Sequence, residues 1–266
     1  MIYFVEGTPA VGKSFYARKL KKEIESIRSV IYYKEEYKNP IDLLRQAVLT
    51  DEEFDSFMQI LKELCTDEFY KEIKQNIYDS ITEANDLVFV PFMHIRTQTK
   101  EQHNHLYSLY NKEIDDGKCS YSFYCDVIIK RLMSFLQNIE SDKDYIFEGA
   151  LLHNPLFSIL GFYDVDKCEI IRFYKSIEKV LRPTEYEIHL VKCDDTENVI
   201  MHALETRGNQ GYNWATGFDS WFGQTCKYKD CKGKNGIVFF SKDIERCENY
   251  ILKNVPLKKT IIKREV

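Results

Sequence analysis

The chain opens with a short apolar run, IYFVEG (2–7), that stops at a glycine. It continues into KSFYARKLKKEIESI (13–27), where Phe15, Leu20, Ile24 and Ile27 recur near helical spacing with charge between them. A short apolar run bounded by a turn residue predicts a buried strand, and recurrence at three and four residues predicts an amphipathic helix. VIYYKE (30–35), rich in β-branched and aromatic residues, predicts a second strand. From NPIDLLRQAVL (39–49) through DSITEAN (79–85) the pattern reads as helical, with an acidic break near DEEFDSF. LVFVPF (87–92) predicts a strand, 101–115 and 121–139 two further helical stretches, and DYIFEG (144–149) another strand. SIEKVL (176–181) ends a helix just before Pro183, and YEIHLVK (186–192) and KTIIK (259–263) complete the set. Strands separated by helices predict βαβ units, hence an α/β fold with a central, mostly parallel sheet. The region 39–139 then reads as a largely helical insertion in a single domain over 1–266.

Composition narrows the partners. The 42 acidic residues outnumber 37 basic ones, for a net charge of -5, which argues against a broad electrostatic footprint for nucleic acid. Any anion site must therefore be local. No apolar run approaches the roughly 20 residues of a spanning helix, and Ile2 to Val5 is too short for the core of a secretory signal. The expectation is a cytoplasmic protein without a membrane partner. The eight cysteines form no Cys-x-x-Cys pair and read as reduced thiols. His103 and His105 read as a solvated helix face rather than metal ligands.

The chemistry is carried by GTPAVGKS. Gly7, then Thr8, Pro9, Ala10 and Val11, then Gly12, Lys13 and Ser14 match G-x-x-x-x-G-K-[ST], after a predicted strand and at the start of a predicted helix. That is the context a phosphate-binding loop requires. Its glycines let the backbone turn around an anion, and successive N–H groups and the helix N-terminus point at a β-phosphate. Lys13 reaches the β and γ oxygens, and Ser14 offers its hydroxyl to Mg²⁺. The expected cofactors are ATP or another nucleoside triphosphate, and Mg²⁺. The competing reading is a strand–helix turn that binds nothing.

Further candidates follow from position. Glu148 closes the strand YIFEG at its carboxyl end, where ligands of open α/β sheets bind, and is expected to hold magnesium through water; otherwise it caps the next loop. Glu35 and Glu36 end the second strand and are candidates to position an acceptor hydroxyl or take its proton, against a solvated turn. Asp195 is placed to cap a helix whose end carries Arg207, and Gly208 and Gly211 then free the chain. Residues 205–236 thus read as a lid that brings Arg207 to the transferred phosphate, against an exposed arginine at a helix C-terminus. Tyr32, Tyr33, Tyr37, Tyr212, Trp214 and Trp221 read as packing residues rather than base-stacking contacts. The basic stretch CKYKDCKGKNG (226–236) reads as a solvated turn.

Together these residues resemble the nucleoside and nucleotide kinase group of P-loop proteins, in its thymidylate-kinase-like branch. Within that group the chain is most similar to bacterial P-loop NTPases that share an EG-x-P-x-x-GKS start, an NP-ID-L block (Asn39, Pro40, Ile41, Asp42, Leu43), a V-P-F strand and an EGALLHNP segment. The resemblance implies a three-layer α/β/α P-loop NTPase fold and transfer of the ATP γ-phosphoryl group to a small nucleoside- or nucleotide-like acceptor. It implies catalytic roles for Lys13, Arg207 and Glu36, a metal site at Ser14 and Glu148, and a substrate contact at Glu35. Kinases of the group carry an acceptor-binding arginine after the strand-ending carboxylate. This chain has Gly149 and Ala150 there, and Arg96, past the VFVPF strand, is the candidate to supply that charge. That departure leaves two other readings open: a nucleotide-hydrolysing regulatory or defence module with a protein partner, and a nucleotide-binding module without turnover. The helical region 39–139 is large enough to cover a substrate or to form a homodimer face.

Overall fold

A computed structural model describes residues 1–35, 39–84, 86–209 and 213–264. In chain order the elements are β1 (Ile2–Glu6), α1 (Lys13–Glu25), β2 (Ser29–Tyr33), β3 (Ala47–Thr50), α2 (Asp51–Glu63), α3 (Asp67–Tyr78), β4 (Thr82–Ala84) and β5 (Leu87–Val90). There follow α4 (Lys100–Tyr107), α5 (Tyr121–Gln137), β6 (Lys143–Glu148), α6 (His153–Phe162), α7 (Lys167–Leu181) and β7 (Tyr186–Lys192). The chain continues through α8 (Thr196–Asn209), α9 (Trp214–Phe222), α10 (Gly233–Asn254) and β8 (Lys259–Lys263). It divides into two compact units, Met1–Glu35 with Ile139–Val266, and Glu36–Asn138.

The first unit is an α/β layer structure around a five-stranded sheet in the order β2-β6-β1-β7-β8. All of its pairings are parallel, as crossover helices between successive strands require. Central β1 is apolar because both faces are covered: Ile2, Phe4 and Val5 are buried. On one face α1 lays Ala17 and Leu20 against Val5, Ile146 and Val191. α7 starts at a capping box, with Asp166 accepting from the Glu169 N–H and the Glu169 side chain accepting from the Asp166 N–H, and buries Ile170, Phe173, Tyr174 and Ile177. α10 packs with α6, α7, α8 and α9. Within the stretch expected to form a lid, α9 and the turn after it bury Phe218, Phe222 and Tyr228 against Phe240 of α10, so this part is held by aromatic packing.

The second unit departs from its helical expectation. It contains an antiparallel sheet, β3-β5-β4, under α2 and α3. The strand expected from LVFVPF ends at Val90 and pairs here, antiparallel to β3 and β4, rather than in the parallel sheet. Pro91 follows, with no N–H to offer a ladder. The helix expected over 39–49 is absent because side chains take the backbone donors instead. Asn39 Oδ1 accepts from the N–H groups of Ile41 (3.1 Å) and Asp42 (3.3 Å), Asp42 Oδ1 accepts from Leu44 (3.1 Å), and Arg45 sits at φ 59. The NP-ID-L block is thus a built turn. Arg131 of α5 holds it: its Nε donates to the Pro40 carbonyl (2.9 Å) and its Nη2 to the Asn39 carbonyl (3.0 Å). His105 is also structural, stacked on Phe57 with ring centroids 4.6 Å apart and Nε2 2.9 Å from the Phe57 carbonyl oxygen. Among the described residues no helix is long and apolar enough to cross a membrane.

Candidate functional site

β1, β6 and β2 are neighbours in register, with Val5 beside Glu148 and Tyr33 beside Phe147, so their carboxyl ends share one edge of the sheet. Three segments of interest emerge there: the Gly7–Ser14 loop from β1, Glu148 from β6 and Glu35 just past β2. The loop turns away from β1 at Gly7, whose φ of 138 lies in the left-handed region. A Cβ at this position would run into the Val191 carbonyl oxygen of β7, so both conformation and space demand glycine. Ala10 (φ 62) and Gly12 (φ 105) continue the wrapped backbone, and α1 begins at Lys13.

Lys13 is only 6% exposed. Its Nζ donates to the carbonyl oxygens of Gly7 (3.2 Å) and Thr8 (3.4 Å) and lies 3.3 Å from Glu35 Oε1. The ammonium is therefore folded back into its own loop by long, weak bonds and one carboxylate. The Glu35 carboxylate occupies the space a Cβ on Gly149 would need, and Gly149 stands at φ 69. Next to this, the Ser14 hydroxyl donates to Glu148 Oε1 and the Tyr32 hydroxyl to Glu148 Oε2. Glu148 is buried.

Behind the loop lies a second set of charges. The fully buried Glu6, last residue of β1, accepts the N–H groups of Leu151 and His153, each at 2.8 Å, and so caps the start of α6. Burial pushes its carboxyl up to about 7, opposed by those N–H groups and by Lys13. Glu248 of α10 is buried too, and burial, then Glu6, push it up to about 8. Burial and then Lys13 hold the His153 imidazole well below its usual value, with the Gly7 carbonyl acting the other way.

These two carboxyls give the folded chain a pH signature. Each binds its proton more tightly folded than unfolded, so the folded state holds more protons from about 4.5 up to about 7 for Glu6 and about 8 for Glu248. Stability is therefore full below the unfolded value and falls as pH rises through that window. Glu248→Gln is expected to flatten the decline and to raise stability at pH 8 by on the order of 2–4 kcal/mol. Urea unfolding across pH 5–8 measures this; an unchanged pH slope in the variant removes Glu248 as its source.

Of the residues expected at the site, Gly7 to Ser14, Glu35 and Glu148 come together. Glu36 lies outside the described residues, as do Tyr37, Gly211 and Tyr212. Arg207, half-buried near the end of α8, lays its guanidinium over the Trp214 ring, 4.1 Å from its centroid. Asp195 caps that helix, Oδ1 accepting the Asn198 N–H at 3.0 Å. Arg96 is exposed and belongs to the second unit. Tyr33 packs as expected, stacked on Phe147 at 5.0 Å, but Tyr32 does more than pack. Its contact with Glu148 escaped the sequence because it depends on strand register. Glu6 and Glu248 escaped as well, because the N–H partners of Glu6 lie 145 and 147 residues on and Glu248 stands in a distant helix.

The hydroxyl of Ser14 and the carboxylate of Glu148 are hard oxygen donors in direct contact, a donor set that suits Mg²⁺. No protein-family model matches the chain, and no curated protein matches it.

Proposed function

We propose that the chain is a P-loop protein that binds ATP or another nucleoside triphosphate with Mg²⁺ in the Gly7–Ser14 loop and transfers the γ-phosphoryl group to a small, nucleoside- or nucleotide-like acceptor. The observation that carries this reading is the convergence of Lys13, Ser14 and Glu148 on one loop at the carboxyl edge of a parallel sheet. Lys13 is held there by contacts of 3.2–3.4 Å that a phosphate oxygen, bearing full charge, would displace. Released, it would neutralise charge on the β and γ oxygens, while Ser14 and Glu148 would hold the metal, which would supply further positive charge to the phosphates. Glu35, 30% exposed beside Lys13, is the candidate to orient an acceptor hydroxyl. Arg207 and Glu36 enter the same reading as candidates for charge neutralisation and for the acceptor proton.

Hydrolysis without an acceptor is the second reading. It draws on Gly149, where the space for a side chain is filled by the Glu35 carboxylate instead of a cation. The two readings separate in one experiment, a screen of nucleosides, nucleotides and other hydroxylated small molecules for ADP release. Acceptor-dependent release is the expected result. Release independent of acceptor assigns hydrolysis, and tight ATP binding without release assigns a binding module.

A further inference from the structure

The Glu148 carboxylate is gripped at both oxygens by hydroxyls, Ser14 on Oε1 and Tyr32 on Oε2. Ser14 opens α1, whereas Tyr32 comes from the neighbouring strand β2, where it stands beside Ile146 of β6. Residues two apart on a strand share a face, so Tyr32, Ile146 and Glu148 all lie on the side of the sheet that α1 covers. Tyr32 packs there against the cluster that includes Ile146, Val5 and Ala17. A stiff, half-buried phenol is thus aimed along the sheet at the carboxylate.

We propose that Tyr32 is a positioning residue for the metal site, acting on the cation through Glu148 and Ser14. The inference rests on the magnesium-nucleotide reading of the loop. By donating to Oε2, Tyr32 fixes the rotation of the carboxylate, so that Oε1 faces Ser14. Glu148 in turn takes the Ser14 hydrogen and leaves the lone pairs of the Ser14 oxygen for a cation. Both donors are neutral hydroxyls, so neither places a competing positive charge beside the carboxylate. Outer partners of this kind orient the ligating groups, and their loss typically lowers metal affinity by about 10–100-fold.

The test is Mn²⁺ binding followed by electron paramagnetic resonance in the presence of a non-hydrolysable ATP analogue, with wild type, Tyr32→Phe and Tyr33→Phe compared. Tyr32→Phe keeps the ring and removes only the donor. It is expected to weaken Mn²⁺ binding by about 10-fold or more, with the melting temperature close to wild type. Tyr33, which stacks on Phe147, controls for general damage to β2, and Tyr33→Phe is expected to bind Mn²⁺ as wild type does. Equal Mn²⁺ affinity in wild type and Tyr32→Phe overturns the role of Tyr32 while the nucleotide reading stands. Equal weakening in both tyrosine variants also overturns it, by assigning the effect to β2 packing. Failure of the wild-type chain to bind Mn²⁺ with the analogue overturns both.

Discussion

Lys13→Ala is expected to lower nucleotide-dependent turnover by on the order of 10²–10³-fold or more, the loss that follows when one preorganised charge-stabilising donor is removed from a developing phosphoryl charge. The fold is expected to survive. In the structure Lys13 makes two long bonds to loop carbonyls and one ion pair to Glu35, which at 30% exposed keeps water contact when its partner is removed. The measurement is turnover and analogue binding beside a thermal melt of the same sample. Wild-type turnover in the variant excludes the mechanism. Loss of turnover accompanied by a collapsed melt shifts the role of Lys13 to the buried carboxyls behind the loop, Glu6 and Glu248, whose ionised forms it stabilises.

Arg131→Met is expected to carry the largest structural effect. The side chain is 2% exposed, and burial pushes its guanidinium down to about 9 against the pull of Asp42. Beyond the Asn39 and Pro40 carbonyls, Nη1 donates to Gln46 Oε1 at 2.6 Å and Nη2 to Thr82 Oγ1 at 3.1 Å, and the plane lies 4.4 Å over the Phe89 ring. Methionine fills much of the volume but leaves those acceptors without this donor, each at a cost of about 1–3 kcal/mol if buried. Relief from burying a charge offsets part of this, so a net loss on the order of 3 kcal/mol is expected. Arg131→Lys is expected to recover little, since one point charge cannot reproduce a planar fork of donors. Urea unfolding gives the magnitude, and hydrogen exchange of the 39–46 amides gives the location. Unchanged exchange there in Arg131→Met removes the clamp role.

The contrast between these two residues explains what was legible in the sequence. The Gly7–Ser14 loop was readable because every part of it is contiguous: strand end, glycine, lysine and helix start are written in one line. Glu148 was readable as the polar end of an apolar strand. The inner strands β1, β6 and β7 were readable too, since burial on both faces leaves short continuous apolar runs. Arg131 gave no such signal, because the carbonyls that it holds lie 91 and 92 residues away, in the turn that it supports. That turn was itself misread as helix: NPIDLLRQ has helical apolar spacing, but Asn39 and Asp42 outcompete the helix for backbone donors. Strand β5 was recognised as a strand and assigned to the wrong sheet, because a strand's own sequence does not name its partner.

The Glu35 carboxylate fills the space a Cβ at Gly149 would need, so the two positions are coupled through the rotamer of Glu35. A side chain gained at 149 would turn the flexible, 30% exposed Glu35 side chain aside and would have to tolerate the left-handed backbone there. With that carboxylate turned aside, Lys13 would lose the Glu35 partner that now faces it, so a change at 149 would reach the lysine without touching it.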